Sequence, residues 1–426
     1  MSKVARTYRM FDNCTQLGTL HLRNWNLEKA TDMGDMFPYV NRLTFVDLSG
    51  SDTATINKLI PYFRTRPENE PGLCILEDLD PDDGNITNVD LATLNSKNWK
   101  VSYNGNYVIA IYTHILNAQA TPLSNLGSCT PTYSDVTNSD GTITRTVTST
   151  TLPSTMTISN KDRLLTVDFI NTKLMTSFYQ LFNGATNLTT VRTETFNTAN
   201  VTRVDNMCYN CKVLTSLDIS TWHTNKITTF ANFCHSCQAL TSVNVANIEF
   251  SSVTAAQYMF YGCSNLSTLV GMNNLNLTKV SNMSYLFYGC DSLIELDLSS
   301  WFNWTSSQTK NNLFRGCGSL QKLDVSGIVL GSSSNYLVSD CMDLDEIYMY
   351  GCDADTVNVM ISKLTTRGQF THGTLYVDDT VDLRDINVSN ATTRYWDIAH
   401  KYEILVADYI CNSSELVEPT FESGYD

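Results

Sequence analysis

The sequence predicts an α/β repeat fold: a solenoid of stacked leucine-rich units with a parallel β-ladder on one face, built as two blocks with end caps and a β-rich insert. Three observations predict it. A short stretch headed by Phe, Cys or Val recurs at 182, 208, 234, 260, 287, 314 and 338, so successive starts lie 26, 26, 26, 27, 27 and 24 residues apart. A fixed period of this length marks one supersecondary unit stacked on copies of itself. The same stretch begins at Phe11 and Phe37, near the N-terminus. Inside each unit the apolar residues keep their places: the unit from Cys208 carries Cys208, Cys211, Leu214, Leu217, Ile219, Trp222, Ile227, Phe230 and Phe233 at positions 0, 3, 6, 9, 11, 14, 19, 22 and 25.

Taking the unit in order, the step from position 9 to position 11 has the period of a strand, because residues two apart share a strand face. The three-residue steps on either side fit helical or 3₁₀ turns. Each unit therefore reads as one short strand and a curved return. A single unit cannot bury its apolar face, so the strands stack into a parallel ladder with rungs about 4.8 Å apart.

Two stretches close the arrays. After Leu48 come TATINKLIPYFRTRPENEPGLCIL and VDLATLNSKNWKVSY, and after Met349 come TVNVMISKLTTRGQFTHGTLYV and SNATTRYWDIAHKYEILVAD. Both read as helix, strand, helix, strand, the caps that cover the last exposed core face of a solenoid. The expected organisation is a short repeat block with its cap over residues 1–105, a Thr/Ser-rich β insert or linker over 106–157, the main solenoid with its cap over 158–408, and an acidic tail over 409–426. A hairpin is expected around Ser139-Asp140-Gly141.

The stretches MFYGCSNL (Met259–Leu266), LFYGCDSLIELDLSSW (Leu286–Trp301) and NTANVTRVDNM (Asn197–Met207) resemble the BspA-like bacterial surface proteins, which carry a leucine-rich repeat of the same length. The likeness covers most of residues 1–50 and 160–350. It implies a leucine-rich-repeat solenoid and a role in cell-surface binding and adhesion, generally without enzymatic activity.

Composition narrows the function. Only 17% of residues are charged, so Asn, Ser and Thr are expected to supply much of the solvated surface. With 28 Lys and Arg against 43 Asp and Glu, the formal charge is −15. No Lys/Arg cluster along the chain reverses that sign, so nucleic acid and anionic lipid are not expected partners. Membrane insertion is not expected either, since no run approaches the roughly 18 apolar residues a spanning helix needs. MSKVARTYRMFDNC also lacks the apolar core of an export signal.

Two constellations suggest chemistry. Cys208-x-x-Cys211 and Cys234-x-x-Cys237 have the spacing of a zinc site, yet Cys211 and Cys237 hold position 3, as do Cys14, Cys263, Cys290, Cys317 and Cys341. The repeat therefore predicts them as a buried thiol ladder, with no metal and no cofactor. The solvent side of the strands offers Asp47, Asp218, Glu295, Asp297, Asp324, Glu346, Tyr348 and Tyr350. Carboxylates on neighbouring rungs such as Asp297 and Asp324 approach the separation used by retaining glycosidases, which keeps a polysaccharide depolymerase as the enzymatic alternative. The Tyr pair suits binding better. The six histidines form no metal-spaced pair and no catalytic signature, and Trp25, Trp222 and Trp301 recur at position 14 as core residues.

The expected function is non-enzymatic binding with no catalytic residue. The β-face residues Asp218, Glu295, Asp297, Asp324, Tyr348 and Tyr350 are expected to contact a host surface protein or a glycan. Phage virion proteins need no export signal, so the expected location is a virion surface, as a tail, fibre or capsid decoration protein assembled with other subunits as an oligomer. The alternative is an adhesin on a bacterial cell surface.

Overall fold

The structure is a computed structural model. It describes residues 7–400, apart from 28–29, 31–35, 38–39, 41, 68–70, 77–88, 104–106, 115–122, 127–128, 170–171, 194–195, 273–274 and 368–370. The acidic tail expected at 409–426 lies outside the described residues. Among the described residues, no helix is long and apolar enough to cross a membrane.

The chain opens with β1 (Thr19–His21), β2 (Phe45–Asp47), α1 (Thr53–Leu59), β3 (Gly72–Ile75), α2 (Leu91–Ser96) and β4 (Trp99–Ser102). The four strands form one parallel sheet in the order β1-β2-β3-β4, with Leu20, Val46 and Cys74 in register and buried. Asp52 and Asp90 start the helices by accepting the backbone N–H of Thr55 and Thr93, which satisfies donors a helix cannot satisfy itself. The Trp99 ring closes over Gly72, where an added Cβ would meet it at 2.5 Å.

The next segment holds β5 (Tyr107–His114), β6 (Leu123–Asn125), β7 (Thr132–Thr137), β8 (Ile143–Ser149), β9 (Thr157–Ile158), β10 (Leu164–Phe169) and β11 (Thr190–Arg192). Strands β7 and β8 form the hairpin at Ser139-Asp140-Gly141, with Gly141 at φ 81° and Asp140 Oδ1 accepting from Thr142 N–H at 2.9 Å. Strand β5 joins this hairpin to the first strand of the larger array, in the sheet order β11-β10-β5-β8-β7. Its alternating side chains serve two cores. Val108 and Ile111 cluster with Phe45, Leu73 and Ile75, while Ile109 and Ala110 join the main core. Residues 106–157 are thus knitted into both neighbours by one strand.

The larger array continues with β12 (Ser216–Asp218), β13 (Ser242–Asn244), β14 (Thr268–Val270), β15 (Glu295–Asp297), β16 (Lys322–Asp324) and β17 (Glu346–Met349), then α3 (Ala354–Lys363), β18 (Gly373–Val377), α4 (Val388–Thr392) and β19 (Trp396–His400). Strands β12-β13-β14 and β15-β16-β17-β18-β19 form two parallel sheets, and in β12, β13, β15 and β16 the middle residue alone is buried. The closing stretch repeats the earlier one: Asp353 and Asn387 cap α3 and α4, and Trp396 covers Gly373.

The return segments are not helices. A second parallel ladder runs through single residues, Ser177–Arg203–Thr229–Ala255–Asn282–Thr309, and the bends between are i→i+3 turns such as Cys211 N–H to the Cys208 carbonyl. The reason is local. Position 2 and the residue four before it are left-handed in rung after rung, as in Asn206 and Asn210 (φ 56° and 61°) or Asn232 and Ser236 (55° and 60°). A left-handed residue every fourth position cannot sit in an α-helix. Their backbone donors go to the next rung instead, for example Cys208 N–H to Phe233 O and Asn210 N–H to His235 O. The molecule is a β-solenoid, and the described α-helices lie in the two closing stretches.

This arrangement also explains the composition. Thr202, Thr228 and Thr254 each donate a side-chain hydroxyl to the carbonyl of the corresponding residue one rung back, at 3.0–3.2 Å. Much of the Thr and Asn content therefore links rungs and holds left-handed turns, beyond solvating the surface. The thiols act likewise: Cys211, Cys237, Cys263, Cys290, Cys317 and Cys341 donate Sγ–H to the position-0 carbonyl of the preceding rung at 2.9–3.2 Å. Burial pushes the Cys263, Cys290, Cys317 and Cys341 thiols up, Cys341 to about 12, which keeps the donating proton in place. All described cysteines are free.

One cation lies inside the array. Lys310 is fully buried, with Nζ donating to the Thr305 carbonyl at 2.6 Å and the Gln308 carbonyl at 3.4 Å, and burial lowers its pKa to about 8. Between pH about 8 and the unfolded value near 10.5 the unfolded chain holds the extra proton, so this group makes stability rise with pH there. The rise is roughly 2–3 kcal/mol, from 1.36 kcal/mol per pH unit. Subtracting the unfolding profile of Lys310→Met from that of the wild type over pH 7.5–10.5 should reveal it; superimposable profiles would refute the assignment.

Candidate functional site

The expected β-face residues are divided by the structure. Glu295, Asp297, Asp324 and Tyr348 share the sheet of β15, β16 and β17, with Glu295, Lys322 and Glu346 in one column and Asp297, Asp324 and Tyr348 in the next. Asp218 lies apart on β12, and Tyr350 sits just beyond the end of β17. Each Asp does structural duty. Asp218, Asp297 and Asp324 use Oδ1 to accept the backbone N–H of Ser220, Ser299 and Ser326 at 2.8–2.9 Å, turning the chain out of the strand. The recurring Leu-Asp-Leu-Ser is thus a corner. Asp47 does not face solvent as expected. Beside strand β2, which β5 covers, it is buried and bonded to Arg23 and to Ser49 N–H. Burial raises its pKa, but hydrogen bonds from His21, Ser49 and Arg23 outweigh that and hold it at about 2.

Tyr348 is the best connected of the expected residues. It stacks on Tyr376 at 4.6 Å, meets Tyr350 edge-on at 5.8 Å and donates its hydroxyl to Glu346 Oε2 at 2.7 Å, while Lys322 Nζ lies 4.9 Å from its ring centre. Partial burial first, then the bond to Glu346, raises its pKa. This corner is committed to its own contacts.

A larger feature lies on the turns that precede the strands. Position 1 carries Tyr209, His235, Tyr261 and Tyr288 on four consecutive rungs. Their rings stack at 4.5, 4.5 and 4.6 Å with interplanar angles of 20°, 15° and 5°. Three residues earlier in two of these units, Tyr258 and Tyr285 stack at 4.8 Å and 10°. The two files touch, Tyr258 to Tyr261 and Tyr285 to Tyr288, both at 5.7 Å. Arg315 closes the end, 6.0 Å from the Tyr288 ring centre and 5.3 Å from the exposed ring of Tyr336. All six ribbon rings are partly exposed. Burial lowers the pKa of His235 and raises that of Tyr261, so the ribbon is uncharged at neutral pH.

The backbone beneath this ribbon is informative. Tyr258, Tyr285 and Tyr336 have φ of 59°, 60° and 54°, at the turn position that Asn206, Asn232 and Asn312 hold in sister units. Asn tolerates the left-handed region and a bulky side chain does not. Folding alone favours Asn here, so the aromatic ring serves something other than the turn.

Because the rungs set the ring spacing, the faces are spent on one another and the ribbon shows solvent its ring edges and phenol hydroxyls. The sequence does display Tyr-x-x-Tyr in QYMFYGC and SYLFYGC, but the motif draws attention to its Phe and Cys. Among the described residues, no group of three or more His, Cys, Asp or Glu side chains is arranged to hold a metal ion.

No curated protein matches the chain. One family model matches residues 1–66, 154–271 and 233–336, which together span more than half of the sequence and coincide with the repeat arrays. The chain belongs to the family described as "Mycoplasma protein of unknown function, DUF285".

Proposed function

We propose that this is a surface-displayed, non-enzymatic binding protein of the BspA-like kind, and that its binding face is the aromatic ribbon of Tyr209, His235, Tyr258, Tyr261, Tyr285 and Tyr288. The observation that carries this reading is the pair of tyrosines at left-handed turn positions, a local cost without a folding benefit. The partner is a protein. A sugar stacks on an aromatic face, and here the faces are occupied by neighbouring rings. Ring edges with hydroxyls suit a protein surface, where Tyr gives rigid amphipathic contact at small entropic cost. The family's description as a Mycoplasma protein supports display on a bacterial cell over display on a virion. Either location turns the same ribbon outward.

The test uses the immobilised full chain against a panel of purified cell-surface and matrix proteins and, in parallel, a panel of oligosaccharides. A protein signal is expected, weakened about tenfold or more by Tyr261→Ala, since central interface tyrosines contribute about 2 kcal/mol. A signal confined to oligosaccharides would overturn the protein assignment, and one unchanged by Tyr261→Ala would overturn the ribbon.

A further inference from the structure

The sequence shows no basic cluster, yet the fold assembles one. A cavity of about 560 Å³ is lined by Arg42, Arg64, Arg66 and Arg192 together with Gln16, small polar residues and no carboxylate. These arginines come from three separate stretches of the chain: the turn before β2, the segment after α1, and the end of β11. In a chain where acids outnumber bases 43 to 28, a concave wall of four guanidinium groups without an acid is not a by-product of composition.

The geometry points to a binding site for a compact, multiply charged oxyanion, one carrying phosphate, sulfate or carboxylate groups. Arg42 Nη1 donates to Gln16 Oε1 at 2.7 Å, a neutral partner that orients the guanidinium without cancelling its charge. Arg192 stands at the strand-end corner that Asp47, Asp218, Asp297 and Asp324 hold in other units, so this rung gives up the turn-forming carboxylate for a cation. Its carboxylate neighbour, Asp168 on β10, lies 3.6 Å from Nη1 and lines the adjoining cavity rather than this one.

Four like charges around one opening repel one another, and an oxyanion relieves that repulsion while accepting paired N–H groups from the planar guanidinium forks. A concave pocket with several cations selects a compact ligand with more than one negative group, rather than a single carboxylate or an extended polymer backbone.

Calorimetric titration of the full chain at low ionic strength, with pyrophosphate, sulfate and citrate as separate probes, tests the site. At least one probe is expected to bind, with affinity falling as salt is added and falling tenfold or more in the Arg42→Gln/Arg192→Gln double variant. Preference among the three assigns the ligand as a phosphate, sulfate or carboxylate compound. Arg66→Gln serves as an independent single change in case the double variant unfolds, and it too should weaken binding. Absence of binding by all three probes at millimolar concentration, or binding unaffected by these substitutions, would overturn the site. The outcome is independent of the aromatic ribbon.

Discussion

Replacing Phe287 with alanine is expected to lower the unfolding free energy by about 3–5 kcal/mol, the range for emptying a large aromatic site in a packed core. Phe287 is fully buried, stacked between Phe260 at 5.9 Å and Phe314 at 6.0 Å. Its backbone serves both neighbouring rungs as well, because the N–H donates to Leu313 O and the carbonyl accepts Cys317 Sγ–H at 3.1 Å. In a solenoid each unit is stabilised by its two neighbours alone, so a cavity in the middle weakens two interfaces at once. Denaturant unfolding should show the loss together with a broader transition or a second one, as rungs 260–286 and 314–337 lose their coupling. A cost under about 1 kcal/mol with an unchanged transition would mean that Cys208 and Cys234, which replace Phe at the equivalent place, show how freely the column tolerates small residues.

The parts of the fold that could be read from the sequence are those with a hydrophobic period. Leu217, Val243, Leu296 and Leu323 mark the strands because each is a buried residue between solvated ones. Likewise, the place of Cys211 and Cys237 at position 3 assigns them to the core. The second ladder through Arg203, Thr229 and Ala255 leaves no such trace, since it pairs one residue per rung and those residues share no polarity. The reading of the returns as helical turns fails for a related reason. Three-residue apolar spacing is common to helices and to i→i+3 turns, and the left-handed Asn and Gly positions that separate the two are decided by backbone hydrogen bonds to the next rung.

Features assembled across the chain were equally hidden. The pairing of β5 with β10 buries Asp47's neighbourhood, and the four arginines of the basic cavity are brought together only by the fold. The ribbon was half visible: Tyr258, Tyr261, Tyr285 and Tyr288 are spaced by the repeat, but that Tyr209 and His235 continue the file depends on the register of rungs.

The second large effect concerns that ribbon. In the double variant Tyr258→Asn/Tyr285→Asn, affinity for the protein partner should fall about 10–100-fold, as expected when two interface tyrosines worth about 1.4–2.7 kcal/mol together are removed. The fold should not suffer in step. Each left-handed position costs a bulky residue about 1–2 kcal/mol, and the lost stacking of the pair is worth about 0.5–1.5 kcal/mol. Asn206, Asn232 and Asn312 already show that Asn completes the turn. The unfolding free energy of this double variant is therefore the most direct test of whether the rings exist for binding. Stability equal to the wild type, or higher by up to about 1 kcal/mol, is the predicted result; a loss of 2 kcal/mol or more would make the ribbon a structural element and contradict the account.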